Sequence, residues 1–402
     1  MVSRRRVLRG LGSGGLITAL PGAIPVALAG APTDRRLVVL LLRGGLDGLA
    51  AVPPYGDRDY HTLRGALAFA DPGRDNGALD LDGRFGLHPS LLPLEKMFRA
   101  RELAVLHAVA TPYRARSHFE GQDLLESGAA LPRGVQDGWL NRALGLFGEF
   151  ERRLGLAVGH AVPLILRGDV PVGAWAPRVL PPLQDDFLSR LQTLYAGDPV
   201  LAPALGEAIQ AQDMSDEIMG QGDRRKRPRG ARVLRHVVKN VGRLLANPRG
   251  PRIAVLEAGG WDTHAQQGVL TGRLARNLGA LADGLVALRA AMEPVWNRTA
   301  VVVVSEFGRT VRPNGTGGTD HGTAGVAFLL GGSVAGGRVV ARWPGLSTGR
   351  LYENRDLAPT TDMRALFKAV LVDHLGLPAR AVDDRVFPGG GNAARLRGLM
   401  QS

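Results

Sequence analysis

Four consecutive valines, Val301, Val302, Val303 and Val304, constrain this chain more than any other feature. An apolar run that is β-branched throughout reads as a strand buried on both faces, as in the middle of a parallel sheet. The run ends abruptly in Ser305, Glu306 and Arg309, and a glycine-rich turn follows over residues 314–318. Asp320-His321-Gly322 comes next, then a second apolar run over residues 326–330. One loop between two buried strands therefore carries Glu306, Asp320 and His321. A carboxylate or imidazole beside a core strand is costly unless something compensates it. The compensation expected here is a bound metal ion.

Three further apolar runs end in the same way. Residues 36–42 (RLVVLLL) lead through two glycines to Asp47; residues 103–108 (LAVLHA) lead to Ser117 and His118; residues 252–258 (RIAVLEA) lead to Asp262 and His264. In a parallel sheet, strand ends of one polarity lie along one edge, and ligands bind at the carboxyl edge of open α/β sheets. Asp47, Ser117, His118, Asp262, His264 and Glu306 should meet there, joined by Asp320 and His321 at the start of the next strand. Such a set offers nitrogen and oxygen ligands without sulfur, which suits one or two divalent ions of zinc, manganese, magnesium or calcium. Each member has a plainer reading: Asp47 as a turn cap, Ser117 as an N-cap, Asp262 as a cap with an incidental histidine. A serine at a strand end can be a nucleophile activated by a metal or a base. Ser117 and His118 do not form a serine-hydrolase dyad, because neighbouring side chains diverge, and no G-x-S-x-G elbow occurs. GGLDG lacks the G-x-G-x-x-G spacing, and no phosphate-cradling P-loop is present. Arg309 or Arg116 would stabilise negative charge on a transferred group. His107, inside an apolar run, reads as a core histidine, and His88 as a cap or loop residue.

The pattern of apolar runs alternating with helical periodicity predicts an α/β fold with a mostly parallel central sheet flanked by helices. Helices are expected over residues 90–100, 137–150, 185–196, 204–219, 231–247, 270–292 and 361–375, and short strands over 161–166 and 337–341. The middle third, about 135–250, reads as a helix-rich covering insertion in one domain spanning 32–402. Residues 1–31 are set aside as a twin-arginine signal: Arg4-Arg5-Arg6-Val7-Leu8, then a mildly apolar segment interrupted by glycine and proline, and Ala27-Leu28-Ala29 as a cleavage site. The expected location is periplasmic or secreted, with the twin-arginine export machinery as partner and no stable membrane span. The formal charge is +13, but only four of the 50 cationic residues are lysines, and the one dense basic cluster, residues 224–229, has no interleaved aromatics. It reads as a solvated loop, so nucleic acid is not an expected partner.

At GGLDG, RSHFEGQD, GGWDTHAQQG, SEFGRT and GGTDHGTAG the chain strongly resembles domain of unknown function 1501 over nearly the whole mature length. That family is similar to a branch of the alkaline phosphatase/sulfatase superfamily. The resemblance implies an alkaline phosphatase-like three-layer fold with a metal centre at the carboxyl edge of the sheet. It implies a metal role for Asp47, Asp262, His264, Glu306 and His321, with Ser117 as nucleophile. Where the superfamily has Asp followed by His, this chain has Glu306 followed by Phe307, and it has no cysteine for a formylglycine centre. The expected function is an exported metal-dependent hydrolase of phosphate or sulfate esters, with Ser117, His118 and Arg309 as catalytic residues. The alternative is a non-catalytic metal-binding protein of degenerate phosphatase-like fold that binds an envelope or polysaccharide partner.

Overall fold

The computed structural model describes residues 33–402, apart from 133, 149–153, 160, 177–193, 196, 199–200, 203–204, 207–230, 391–392 and 402. The signal segment, the basic cluster and most of the helices expected over 185–196 and 204–219 lie outside the described residues.

Eleven strands are described: β1 (Arg36–Arg43), β2 (Leu79–Asp80), β3 (Gly86–Leu87), β4 (Leu103–Ala110), β5 (Gly155–Val158), β6 (Gly173–Trp175), β7 (Ile253–Gly259), β8 (Thr299–Ser305), β9 (Gly325–Leu330), β10 (Arg338–Val340) and β11 (Thr361–Asp362). Nine form one sheet in the order β10-β4-β9-β8-β1-β7-β5-β6, with β11 beside β10 along the outer edge of β4. β1 pairs in parallel with both β7 and β8, and β5 pairs in parallel with both β7 and β6. β9 runs antiparallel to both β8 and β4, so β4 and β8 point the same way. The carboxyl ends of β1, β4, β7 and β8 and the amino end of β9 therefore share one edge. The sheet is mostly parallel, as the apolar runs predict.

The central strands divide their side chains with a period of two. Val38, Leu40, Leu42, Val301 and Val303 enter one core cluster, while Leu37, Val39, Leu41, Val302 and Val304 enter another. Helices α1 (Leu92–Arg99), α3 (Ala231–Ala246) and α4 (Arg273–Ala291) fill the first cluster through residues such as Leu94, Val241 and Leu281. Helix α2 (His118–Ser127) contributes Leu125 to the second, and α5 (Met363–Ala369) contributes Leu366 and Phe367. The result is a helix–sheet–helix sandwich. No helix among the described residues is long and apolar enough to cross a membrane.

Two local expectations are corrected. Residues 161–166 do not form a strand: Leu164–Leu166 is a 3-10 turn, and the strand lies earlier, at β5. The middle stretch is also not helical throughout, since β5 and β6 extend the central sheet. At the other end of the chain the long helix expected over 361–375 begins at Met363, capped by the Asp362 carboxylate on the Arg364 N–H. His88 is a cap: its Nδ1 accepts from the Ser90 N–H at 2.9 Å.

His107 is fully buried in β4, beside an irregularity at Ala108, whose φ is 56°. Its Nε2 bonds the Val52 carbonyl at 3.0 Å and its Nδ1 accepts from the Ala108 N–H at 2.8 Å. His374 is likewise buried, with Nε2 on the Arg36 carbonyl at 2.8 Å. Burial lowers each imidazole from 6.5 to about 4. Both are neutral in the fold at pH 7, whereas in the unfolded chain they protonate as pH falls through 6.5. Stability is therefore intact above 6.5 and lost progressively down to about pH 4. At pH 5 the expected loss is about 2 kcal/mol for each histidine. Urea midpoints measured from pH 7.5 to 5 check this: the wild type should decline steeply and His374→Gln much less, and parallel profiles would refute the assignment.

Candidate metal centre

The centre is built at the shared sheet edge. Glu306 follows β8, and its side chain has no exposure. Its Oε1 accepts from the Gly44 N–H at 2.8 Å, from His118 Nδ1 at 2.8 Å and from Gln122 Nε2 at 3.2 Å. Its Oε2 lies 2.9 Å from the Ser305 hydroxyl. Burial alone would raise this carboxyl, but the bonds from His118, Gln122 and the Gly44 backbone outweigh it and hold Glu306 below the usual range. It is an ionised, fully engaged carboxylate.

His118 opens helix α2, so the helix start fixes where its ring projects. Hydrogen bonding to Glu306 raises its pKa against the opposing effect of burial. An ionised carboxylate can only accept, so His118 Nδ1 carries a proton, and when the ring is neutral the lone pair is on Nε2. That Nε2 is buried and has no hydrogen-bond partner; it lies 3.5 Å from Asp262 Oδ2. His321 repeats the arrangement. Its Nδ1 is 2.9 Å from the Arg116 carbonyl, which can only accept, so its Nε2 is again the free lone pair. Burial lowers the His321 pKa, consistent with a neutral ring. His264 makes a third: Nδ1 is 3.2 Å from Asp320 Oδ1, and Nε2 is 3.0 Å from Asp262 Oδ1 and 2.9 Å from His321 Nε2. Hydrogen bonds from Asn314 and His264 lower the Asp320 carboxyl. With a lone pair on His321 Nε2, its 2.9 Å approach to His264 Nε2 is favourable only with a proton or a cation between the two nitrogens.

Asp262 sits among these rings. Its pKa is lowered despite burial, chiefly by the Arg309 guanidinium, whose Nη1 donates to Oδ1 at 2.8 Å. Ligand atoms of His118, Asp262 and His321 all lie within 4.8 Å of one another. The residues therefore fit a divalent cation: one buried nitrogen without a partner, two further ring nitrogens 2.9 Å apart, a carboxylate among them, and acceptors holding Nδ1 of His118 and His321. Such outer partners orient the ring and set its tautomer.

Close packing shapes the floor. Phe307 is buried, with its ring centroid 4.9 Å from His118 and 5.0 Å from His321. A Cβ at Gly45 would fall 2.7 Å from the Phe307 ring, and one at Gly121 would fall 3.1 Å from it. Gly44 has φ +123°, and a Cβ there would lie 2.5 Å from the Asp262 backbone nitrogen. Side chains at these positions would push the Asp262 loop or Phe307 out of place.

The structure brings together His118, Asp262, His264, His321 and Asp320. It places Asp47, Glu306 and Arg309 otherwise than the sequence reading does. Asp47 is fully buried, with Oδ2 accepting from Arg64 Nη2 at 2.6 Å and Gln267 Nε2 at 2.7 Å, and Oδ1 capping the short helix Gly48–Ala51 through the Ala50 N–H. Glu306 is bonded to His118 Nδ1 at 2.8 Å. Arg309 has a fully buried side chain, and it is spent on Asp262 and on Thr319, whose carbonyl accepts from Nη2 at 2.6 Å. It holds Asp262 instead of facing outward. Ser117 occupies the N-cap position of α2, partly buried, without a side-chain capping bond.

Sequence reasoning missed Arg64, Gln122, Gln267 and the Arg116 carbonyl. Gln122 had a signal: it lies four residues after His118, on the same helix face. Gln267 joins Asp47 to Thr263 and Thr319, whose hydroxyls both donate to its Oε1 at 2.8 Å.

Fold and site together define an α/β protein with a candidate cation centre at the carboxyl edge of its sheet. A family model described as "Protein of unknown function (DUF1501)" matches residues 103–386, and the chain belongs to that family. No curated protein sequence matches it. Solved structures that resemble it include the phosphonate monoester hydrolase of Agrobacterium radiobacter, at 13% identity and TM-score 0.41 over 86% of this chain and 74% of that one. Another is the C-terminal periplasmic domain of EcEptC from Escherichia coli in complex with Zn, at 14% identity and TM-score 0.38 over 91% of this chain and 88% of that one. A third is a protein in the alkaline phosphatase superfamily from Vibrio parahaemolyticus, at 10% identity and TM-score 0.32 over 82% and 69% of the two chains.

Proposed function

We propose that the protein is an exported, metal-dependent hydrolase of phosphate or sulfate esters. One observation carries this reading: the Nε2 atoms of His118, His264 and His321 converge on Asp262, and the Nδ1 atoms of His118 and His321 are bonded to partners that can only accept. Three imidazoles and one carboxylate favour zinc or manganese over magnesium or calcium. A cation held by these residues would supply Lewis-acid polarisation of an ester oxygen. The chain's own groups do the rest. Arg309 fixes Asp262, and Glu306 and the Arg116 carbonyl fix two of the rings. His264 and Asp320 are about half exposed and form the open rim through which an anionic ester would enter. Ser117, one residue before His118, is the proposed nucleophile.

The alternative, a cation-binding protein without turnover, draws on Phe307, which packs against two of the imidazoles, and on Arg309, whose buried side chain is bonded to Asp262 and Thr319. Two measurements decide. Protein equilibrated with zinc or manganese and then desalted should retain the ion, by elemental analysis. It should then turn over at least one of a phosphomonoester, a phosphodiester and a sulfate ester, with that activity lost in Ser117→Ala. A metal-free protein would refute both readings; retained metal without turnover on any ester would leave the binding protein.

A further inference from the structure

We propose that this centre takes a single cation and that Glu306 is a positioning residue, holding His118 for that cation instead of binding one; the inference rests on the metal reading above. The argument starts from what the carboxylates at the sheet edge already do. Glu306 Oε1 receives three donors, its Oε2 shares the Ser305 hydroxyl with the Leu42 carbonyl, and its side chain has no exposed surface. Asp47 is equally buried, and the guanidinium beside it at 2.6 Å neutralises its charge. A cation there would sit against Arg64. Asp320 Oδ1 is shared between His264 Nδ1 and Asn314 Nδ2. Asp262 is the carboxylate left among the lone-pair nitrogens, and its Oδ1 already accepts from Arg309. Phe307, next to Glu306, presents only a hydrocarbon ring to the cluster. Among the described residues, His118, Asp262 and His321 form the one group of three or more metal-ligating side chains with converging atoms.

The geometry of Glu306 matches a carboxylate–imidazole support. Its 2.8 Å bond to Nδ1 pins the His118 ring and leaves Nε2 aimed at Asp262, buried and without a partner. Removing such an outer partner weakens metal affinity by about 10–100-fold without removing the ion.

The test is an ion count together with an affinity. Native mass spectrometry of the wild type, equilibrated separately with zinc and with manganese, should show one ion per chain. Glu306→Gln should still bind one ion, with zinc affinity about 10–100-fold weaker by competition with a chelator and an unchanged circular dichroism spectrum. Asp47→Asn should leave the count at one. Should Glu306→Gln fail to fold, proton NMR of the cation-free wild type supplies the second readout. A downfield Nδ1 proton on His118, absent in His118→Asn, supports the positioning bond, and its absence overturns it. Two ions per wild-type chain would overturn this inference while leaving the hydrolase reading standing. No ion at all would defeat both, and an unaltered zinc affinity in folded Glu306→Gln would remove the positioning role.

Discussion

His118→Ala is expected to abolish tight cation binding while leaving the cation-free protein folded and only modestly less stable than the wild type. The ring makes one hydrogen bond, to Glu306, and that carboxylate keeps its bonds from Gly44 and Gln122 when the ring is gone. Its Nε2 has no partner to lose. The cost without metal should be about 1.5–3 kcal/mol, the net worth of a hydrogen bond to a charged group. Loss of a direct ligand should exceed the roughly 10–100-fold penalty of losing an outer partner, so at least about 100-fold in affinity is expected. A ligand at 1,000 times its Kd stabilises a fold by about 4 kcal/mol, and at 10 times by only about 1.4 kcal/mol. Urea unfolding with and without zinc should therefore separate the two proteins by about 2–3 kcal/mol at a concentration chosen from the wild-type Kd. Ester turnover, if measured on the same samples, should fall with it. Equal stabilisation by zinc in wild type and variant would remove His118 from the centre.

The second large effect lies away from the cation. Arg64→Met should destabilise the protein by about 3–5 kcal/mol, because it leaves the Asp47 carboxylate buried without its counter-charge. Arg64 is itself fully buried and also donates to the Val311 carbonyl at 3.1 Å, so the loss reaches a second segment. The double variant Asp47→Leu with Arg64→Met should recover much of the loss, since an apolar pair of similar volume replaces a buried ion pair at little cost. Denaturant unfolding of the four proteins closes the cycle. A single-variant cost near 1 kcal/mol, or no recovery in the double, would show that Asp47 is not the buried charge it is taken for.

These outcomes divide along what a sequence can carry. The long strands were legible because burial on both faces leaves an uninterrupted apolar run: β1, β4, β7 and β8 all begin within a few residues of their expected starts. β5 and β6 have four and three residues, too few for any period to declare itself. The reversal of β9 is invisible because an apolar run has no direction. It does explain why Asp320 and His321, which precede a strand, share an edge with residues that follow strands. Within the site, strand-end positions bring His118, Asp262, His264 and His321 to one edge of the sheet. Partnership did not follow, because Asp47 is defined by Arg64 and Gln267, the latter 220 residues away, and Glu306 by His118, 188 residues earlier. Whether a carboxylate binds an ion or steadies an imidazole depends on such long-range contacts.

Arg116 adopts φ 64° and is clamped by the Asp356 carboxylate at 2.8 Å, while its own carbonyl engages His321 two hundred and five residues on. His118 begins only two positions further along the same backbone. One short run of chain thus steers two of the three rings, so a disturbance at either is felt by both. A backbone change at Arg116 should therefore move two rings at once, while His264, held through Asp320 and Asn314, should stay in place.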